Sequence, residues 1–311
     1  MTGPAPPAPA AVVPASGRGA SDWATLAKPG ITALICAVAV GGFLLADPRS
    51  IAWLRLAELV VTGASGSAGA AMLNHYLDRD LDRRMKRTRT RPLAEERIDP
   101  SASVAVVGLA LLALGVGGAA YLLNPLTGFS IFLGGLTYVV VYTIWLKRRS
   151  SWNIVIGGFA GSAPALAGGA AAIGSWSWGV IAFAILVFLW TPPHFWSLAI
   201  LLKDDYARVG LPMLPNMNDL AFSGKMVVVS ATLLVPAALA IGLTGALAWP
   251  VVVVLVALGA IFVALTAPLW HTVTREVARR GFIYSGPYLL GVVLAILANA
   301  PLLRLGVPTG F

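Results

Sequence analysis

The residues best suited to chemistry are one asparagine and two aspartates at four-residue intervals, Asn74, Asp78 and Asp82. On a continuous α-helix, side chains four positions apart lie above one another, so these three would form one stripe of oxygen atoms. Proteins hold Mg²⁺ with a few carboxylates together with substrate phosphates and water. Because two aspartates do not complete a cage, a phosphate group is the natural remaining ligand. The spacing therefore predicts a site for Mg²⁺ and a diphosphate.

Basic side chains follow this stripe along the chain. Guanidinium groups bind phosphate oxygens through paired hydrogen bonds, which suits them to hold a diphosphate. A solvated basic run at a membrane surface would explain the arginines alone, but it would not explain aspartates at regular intervals. We therefore predict that the diphosphate is bound by Arg83, Arg87 and Arg91.

A second acidic pair, Asp204 and Asp205, follows a long apolar stretch. If the two acidic segments face each other across a pocket, they can hold one or two Mg²⁺ over one diphosphate. An ordinary interfacial loop is the alternative interpretation of this segment. The predicted metal ligands and catalytic residues are Asn74, Asp78, Asp82, Asp204 and Asp205. The predicted phosphate contacts in the second segment are Lys203 and Arg208.

His194 lies inside an apolar stretch, directly after Pro192 and Pro193. Two consecutive prolines interrupt the helical hydrogen bonds, so the freed backbone groups must find partners inside the protein. An ionisable side chain at membrane depth indicates a functional site by default, and a structural hydrogen bond is the alternative. His194 is therefore a candidate functional residue.

The composition defines the elements that must position these residues. Hydrophobic residues make up 58% of the 311 residues and charged residues 11%, against about 25% charged in soluble domains. A helix needs about 20 apolar residues to span a bilayer. We predict an all-α, polytopic membrane protein with a disordered tail over 1–22 and one transmembrane domain over 23–311. The nine predicted spans are 30–46, 51–73, 101–123, 126–146, 153–173, 178–202, 226–245, 249–269 and 282–303.

The loop charges predict the orientation. With the N-terminus in the cytoplasm, all but three of the 22 lysines and arginines lie on the cytoplasmic side, as the positive-inside rule requires. The C-terminus then lies outside the cell membrane, and both acidic segments share the cytoplasmic face. This bias and the attraction of anionic lipid headgroups explain the net charge of +9. We therefore predict no nucleic-acid partner.

Small and aromatic residues within the spans each have two interpretations. Glycine lets helices approach closely, and we favour this role over a cavity wall for Gly63, Gly66, Gly69, Gly157, Gly158 and Gly161. Aromatic faces attract cations, although packing is the commoner role of a single aromatic residue. The candidates for stabilising a cation are Tyr138, Tyr142, Phe188 and Trp190.

Together these motifs resemble the UbiA superfamily of intramembrane prenyltransferases, and within it the protoheme IX farnesyltransferase branch. The resemblance covers nearly the whole chain. The pattern Asn74-x-x-x-Asp78-x-x-x-Asp82 is typical of the superfamily. Pro192-Pro193-His194-Phe195-Trp196 and Lys203-Asp204-Asp205-Tyr206 look specific to the heme branch. The second motif departs from the superfamily's frequent Asp-x-x-x-Asp, because Arg208 and Val209 stand four residues after Asp204 and Asp205.

The resemblance implies a nine-helix bundle with a central cavity that opens to lipid. It implies that farnesyl diphosphate and protoheme IX are the substrates, that Mg²⁺ is the cofactor, and that the lipid bilayer surrounds the enzyme. The implied product is heme O for heme–copper oxidases, which makes heme A synthase an implied partner. In this setting His194 becomes a candidate heme-binding residue.

Three alternatives remain open. A related prenyltransferase would act on a quinone precursor or chlorophyllide, although the heme-like stretches argue against it. A transporter usually places its charged site near the bilayer midplane, where this chain is nearly uncharged. A non-catalytic assembly factor for a respiratory oxidase would not depend on Asp78.

Overall fold

The computed structural model describes residues 19–99 and 101–309, and these residues are almost entirely helical. Nine helices among them are long and apolar enough to cross a membrane. They are α2 (Pro29–Ala46), α3 (Trp53–Arg84), α4 (Ala102–Leu122), α5 (Pro125–Leu146), α6 (Asn153–Ile173), α7 (Trp178–Leu201), α10 (Leu220–Leu243), α11 (Trp249–Trp270) and α12 (Arg275–Arg304). Three short helices complete the set: α1 (Gly19–Leu26), α8 (Lys203–Arg208) and α9 (Leu214–Met217).

The nine predicted spans are confirmed, with two instructive differences in length. Helix α3 continues to Arg84, eleven residues beyond the predicted end at position 73. Helix α12 begins at Arg275, before the predicted start at position 282. Both extensions are polar, so apolar composition alone could not reveal them. The extension of α3 places the asparagine and both aspartates on one continuous helix, as their spacing requires.

The predicted boundary of the tail at residue 22 is wrong, while residues 1–18 lie outside the described part of the chain. Helix α1 begins at Gly19, and Asp22 on it is buried. Arg97, from the loop after α3, donates from Nη2 to Asp22 Oδ1 at 3.0 Å and from Nε to Oδ2 at 3.1 Å. A paired guanidinium–carboxylate contact is geometrically specific. It fixes α1 against the loop that follows the acidic stripe.

The predicted glycines serve both of the roles considered for them. A Cβ at Gly69 of α3 would collide with the backbone of α4 at Gly108 and Leu112, so Gly69 permits close helix contact. A Cβ at Gly63 would meet nothing within 4 Å, and Gly63 lines a cavity instead. On α3, Gly69 therefore has the predicted packing role, while Gly63 has the alternative role of lining the cavity.

The hydrophobic core and the cavity occupy different parts of the bundle. The largest cluster of buried apolar residues includes residues of α7, α10, α11 and α12, with Phe183, Phe262 and Tyr288 among its fully buried side chains. The cavity lies on the other side of α7, among α2, α3, α5 and α6. Helix α5 ends in a π-helical stretch, Thr137–Leu146. Such stretches are rare and occur often at functional sites.

Candidate active site

The acidic stripe on α3 is buried. Asn74, Asp78 and Asp82 have exposed fractions of only 3%, 1% and 3%. The Asn74 side chain donates from Nδ2 to Asp78 Oδ2 at 2.8 Å and to Thr143 Oγ1 of α5 at 3.0 Å. The predicted stacking of these groups along one helix face is therefore confirmed, and the stripe faces neighbouring helices of the bundle.

Each member of the stripe is met by a cation from a different part of the chain. A buried carboxylate is costly unless a charge or hydrogen bonds compensate it, which explains these contacts. The three contacts are Lys28 Nζ to Asn74 Oδ1 at 2.7 Å, Lys147 Nζ to Asp78 Oδ2 at 2.5 Å and Arg91 Nη1 to Asp82 Oδ2 at 2.8 Å. Three basic side chains thus surround two carboxylates, and their N–H groups are donors of the kind that bind phosphate oxygens.

Lys28 is held in an uncommon backbone conformation. Its φ is 47° and its ψ is 63°, a left-handed geometry in the residue directly before Pro29. Strained backbone of this kind is concentrated at functional sites. The conformation brings Lys28 Nζ within 2.9 Å of the Tyr138 hydroxyl as well as to Asn74. Burial is the main cause that lowers the pKa of Lys28 from 10.5 to about 7, and the charges of Arg91 and Lys147 act in the same direction.

One oxygen of the stripe has no partner within the described residues. Asp78 Oδ1 is buried and accepts no hydrogen bond, which is costly for a carboxylate oxygen. Asp78 Oδ1, Asp82 and the Asn74 amide form a set of hard oxygen donors of the kind that Mg²⁺ takes alongside phosphate and water. These residues therefore fit the predicted metal. Within residues 19–99 and 101–309, no three His, Cys, Asp or Glu side chains come together to hold a metal by themselves.

The two residues of the second acidic pair have different surroundings. Asp205 accepts hydrogen bonds from the backbone nitrogens of Lys86 at 3.0 Å and Arg87 at 3.4 Å, and it pairs with Arg208 at 3.0 Å. Its oxygens thus fix the turn that follows α3. Asp204 is exposed. A role of both residues as metal ligands together with α3 stays a prediction, since a carboxylate that pairs with an arginine can still be a candidate ligand, as Asp82 is.

The predicted phosphate-binding residues lie in three different places. Arg91 lies at the stripe, where it pairs with Asp82. Arg83 instead pairs with Glu96 at 2.8 Å on the surface, and both side chains are substantially exposed. The other three lie near the second acidic pair or on the surface around it: Arg87, Lys203 and Arg208. Burial raises the pKa of the adjacent Tyr206 hydroxyl, which therefore stays neutral.

An apolar cavity of about 310 Å³ lies next to the stripe, and Lys28 connects the two because it lines the cavity and contacts Asn74. Lys28 lines it, together with Tyr138, Tyr142 and Trp190, whereas Phe188 is absent from the lining. The two tyrosine rings stack with their centroids 6.0 Å apart. Lys28 Nζ lies 5.5 Å from the centroid of the Tyr138 ring. The polar site and the apolar cavity are therefore continuous, with aromatic faces close to the basic groups.

His194 also lines this cavity. Its ring stacks on Trp190 with a centroid distance of 4.7 Å and an interplanar angle of 20°. Its Nδ1 lies 2.6 Å from Ser285 Oγ of α12. His194 therefore makes a structural hydrogen bond with Ser285 and also lines the cavity, so the two interpretations do not exclude each other.

Gly157 sets the position of Tyr142 in the cavity wall. A Cβ at Gly157 would lie 2.7 Å from Tyr142 Cδ2, which is closer than real contacts allow. We expect Gly157→Ala to push the Tyr142 ring into the cavity and to lower the catalytic rate by about 10-fold or more, because small misplacements in an active site are costly. Gly117→Ala is the matched control, since nothing lies within 4 Å of its Cβ. Steady-state kinetics that show equal rates for both variants would contradict this role.

Lys28, Lys147 and Ser285 are contact residues of the site that sequence reasoning missed. In the sequence, Lys28 and Lys147 stand out only as charges that set the orientation. Lys28 directly precedes α2 and Lys147 directly follows α5, and lysines at the ends of membrane spans are expected from topology alone. The left-handed turn before Pro29 and the π-helical end of α5 bring them inward, and no sequence signal marks either feature clearly.

The fold and the site together define a class of protein. The model of the UbiA prenyltransferase family matches residues 33–286. The chain therefore belongs to the UbiA prenyltransferase family, and its site joins a buried acidic stripe and basic groups to an apolar cavity.

The similarity extends to particular relatives and structures. The chain is 41% identical over 277 residues to "Protoheme IX farnesyltransferase" of Metallosphaera sedula, covering 88% of this chain and 94% of that protein. It is 36% identical over 286 residues to the protein of the same name from Hahella chejuensis, covering 89% and 93%. A UbiA homolog from Archaeoglobus fulgidus, solved bound to GPP and Mg²⁺, shares the fold with a TM-score of 0.67 and 17% identity, covering 89% of this chain and 99% of that chain.

Proposed function

We propose that this enzyme transfers the farnesyl group of farnesyl diphosphate to a vinyl group of protoheme IX, giving a hydroxyethylfarnesyl heme and diphosphate. The single observation that carries the proposal is the buried asparagine–aspartate stripe with its three basic partners, one of which, Lys28, also lines an apolar cavity. The names of the relatives in Metallosphaera sedula and Hahella chejuensis supply the substrates.

The reaction begins with loss of the diphosphate. The bond between the allylic carbon and oxygen breaks, and its electron pair leaves with the diphosphate. Lys28, Lys147 and Arg91 exchange their contacts with the stripe for contacts with phosphate oxygens, which stabilises the charge that develops there. Asn74, Asp78 and Asp82 would hold Mg²⁺, which when bound supplies Lewis-acid stabilisation of the leaving group.

The cavity protects the second half of the reaction. The allylic cation lies among apolar walls that exclude water, with the faces of Tyr138 and Tyr142 close to the diphosphate site. A vinyl carbon of the heme attacks the cation and forms the new carbon–carbon bond. Water then adds to the benzylic-type cation on the porphyrin side and releases one proton. A farnesyl chain and a porphyrin are both largely apolar, which suits a cavity lined by apolar side chains inside a bundle of membrane helices.

We also propose the cell membrane as the location, with the N-terminus and the acidic stripe on the cytoplasmic side. The distribution of lysine and arginine supports this orientation. The product is an apolar heme that stays in the bilayer, so the next enzyme, heme A synthase, would receive it there.

The decisive test of the proposed activity is product analysis. Purified protein is incubated with protoheme IX, farnesyl diphosphate and MgCl₂, and the heme fraction is measured by mass spectrometry. We expect a heme that has gained one farnesyl group and one hydroxyl group, and we expect EDTA to abolish this product. Modification of a quinone precursor or chlorophyllide, with unchanged heme, would favour the related prenyltransferases instead.

Cys36 offers an independent test of where the farnesyl chain binds. It is the only cysteine of the chain, it is half-buried, and it lines the cavity. We expect a small apolar maleimide to label Cys36, and we expect farnesyl diphosphate with Mg²⁺ to slow this labelling about 10-fold or more. Inorganic diphosphate with Mg²⁺ serves as the control, since it fills the polar site only. Equal labelling in all three conditions would place the farnesyl chain elsewhere.

A further inference from the structure

Ser285 connects two aromatic side chains of the cavity wall. It lies on α12, is fully buried, and is outside all of the motifs described above. Its backbone carbonyl accepts a hydrogen bond from Trp190 Nε1 at 2.8 Å. Its hydroxyl oxygen lies 2.6 Å from His194 Nδ1 and 2.5 Å from the Phe282 carbonyl oxygen. One residue therefore fixes both members of the stacked pair Trp190–His194.

The Ser285 hydroxyl has one hydrogen for these two contacts. A carbonyl oxygen can only accept, so the hydroxyl must donate to the carbonyl of Phe282. The Ser285 oxygen then acts as the acceptor for His194, and His194 Nδ1 must carry the hydrogen. The opposite assignment would leave two oxygen atoms 2.5 Å apart with no hydrogen between them. The contacts thus select one tautomer of the histidine.

The selected tautomer leaves His194 Nε2 as an unprotonated nitrogen with a free lone pair. Because Nδ1 is occupied by Ser285, Nε2 is the ring nitrogen that remains available to a molecule in the cavity that His194 lines. An imidazole with one nitrogen donating to a fixed acceptor and the other free is the form in which histidine binds a metal.

We infer that Ser285 is a positioning residue that fixes His194 in the tautomer with hydrogen on Nδ1, so that His194 Nε2 ligates the iron of the bound porphyrin. The inference rests on the proposed function, because it takes protoheme IX as the occupant of the cavity. Trp190 contributes by stacking on the imidazole and holding the ring plane. A ligand fixed in this way would hold the porphyrin iron at the wall of the cavity that His194 lines.

The test uses full-length protein in detergent with ferrous protoheme IX as the probe, and it requires no farnesyl transfer. Resonance Raman spectroscopy detects the iron–histidine stretching band, whose frequency rises as the Nδ1 hydrogen bond strengthens. We expect this band in the unmodified protein and its loss in His194→Ala. In Ser285→Ala we expect a lower frequency and heme affinity weaker by about 10-fold to 100-fold. Ser230→Ala is the matched control, because that hydroxyl donates only within its own helix.

Three further measurements separate a positioning role from a packing role. Added imidazole should restore the band in His194→Ala, and thermal unfolding should show that both variants remain folded. Ser285→Thr keeps the hydroxyl and should keep the frequency. An unchanged band in Ser285→Ala would overturn the inference, as would retention of the band in His194→Ala. The Raman and affinity measurements do not require product formation. A failure of the proposed activity would be seen separately, as the absence of farnesylated heme in the product analysis.

Discussion

Replacing Asp78 with asparagine is expected to lower kcat/KM for farnesyl transfer by about 10³-fold, the upper range for loss of one preorganised electrostatic group. Asp78 is 1% exposed, and its Oδ1 has no partner among the described residues. Asparagine keeps the shape and the hydrogen bond to Asn74 but loses the negative charge. The change therefore removes the strongest oxygen donor of the stripe and leaves Lys147 without its carboxylate.

Asp80→Asn is the matched control for this experiment. Asp80 lies on the same turn of α3 but is exposed, so the same chemical change there should leave kcat/KM within about 2-fold, in keeping with small effects at exposed positions. Thermal unfolding in detergent should show that both variants remain folded. Equal activity of the two variants would mean that the acidic stripe has no role in the reaction.

The second large effect is expected from Lys147→Met, which should lower kcat about 10²-fold and weaken the binding of farnesyl diphosphate. Lys147 Nζ contacts Asp78 Oδ2 at 2.5 Å, and its side chain is 13% exposed. Its ammonium group acts in a site with little water, where one positive charge stabilises a leaving diphosphate more than it would in solvent. Methionine has a similar length and no charge, so the change isolates the electrostatic contribution.

Arg148→Gln controls for the loss of a positive charge at the same end of α5, because Arg148 is exposed. It should leave the kinetics nearly unchanged. Steady-state rates at several concentrations of farnesyl diphosphate, with protoheme IX saturating, separate the effects on kcat and KM. If Arg148→Gln and Lys147→Met lose activity equally, the basic residues at this end of α5 act through their total charge, and the specific contact of Lys147 with Asp78 is unimportant.

The features that depend on a regular spacing of residues along the chain were predictable from the sequence. A four-residue spacing fixes one helix face whatever the rest of the fold does, so the spacing of Asn74, Asp78 and Asp82 alone places them together. The nine spans were predictable for a related reason, since each must be apolar over the thickness of a bilayer. The position of His194 within a span was likewise evident.

The features that depend on distant contacts were not predictable. Lys28 reaches Asn74 through a left-handed turn, and Lys147 reaches Asp78 across two helices. Asp205 is predicted as a metal ligand from its residue type and its place at a helix end, which resemble those of Asp82, and that role stays a prediction. Its actual partners are backbone nitrogens of the turn after α3, and hydrogen bonds to backbone groups leave no pattern of side chains in the sequence.

The most direct measurement is phosphorus electron–nuclear double resonance on protein loaded with Mn²⁺ in place of Mg²⁺ and with an unreactive thio analogue of farnesyl diphosphate. We predict coupling between the bound Mn²⁺ and the phosphorus of the analogue, with loss of this coupling in Asp78→Asn and its retention in Asp80→Asn. Mn²⁺ that binds without phosphorus coupling, or coupling that survives in Asp78→Asn and Asp82→Asn alike, would show that the stripe on α3 does not hold a metal-bound diphosphate.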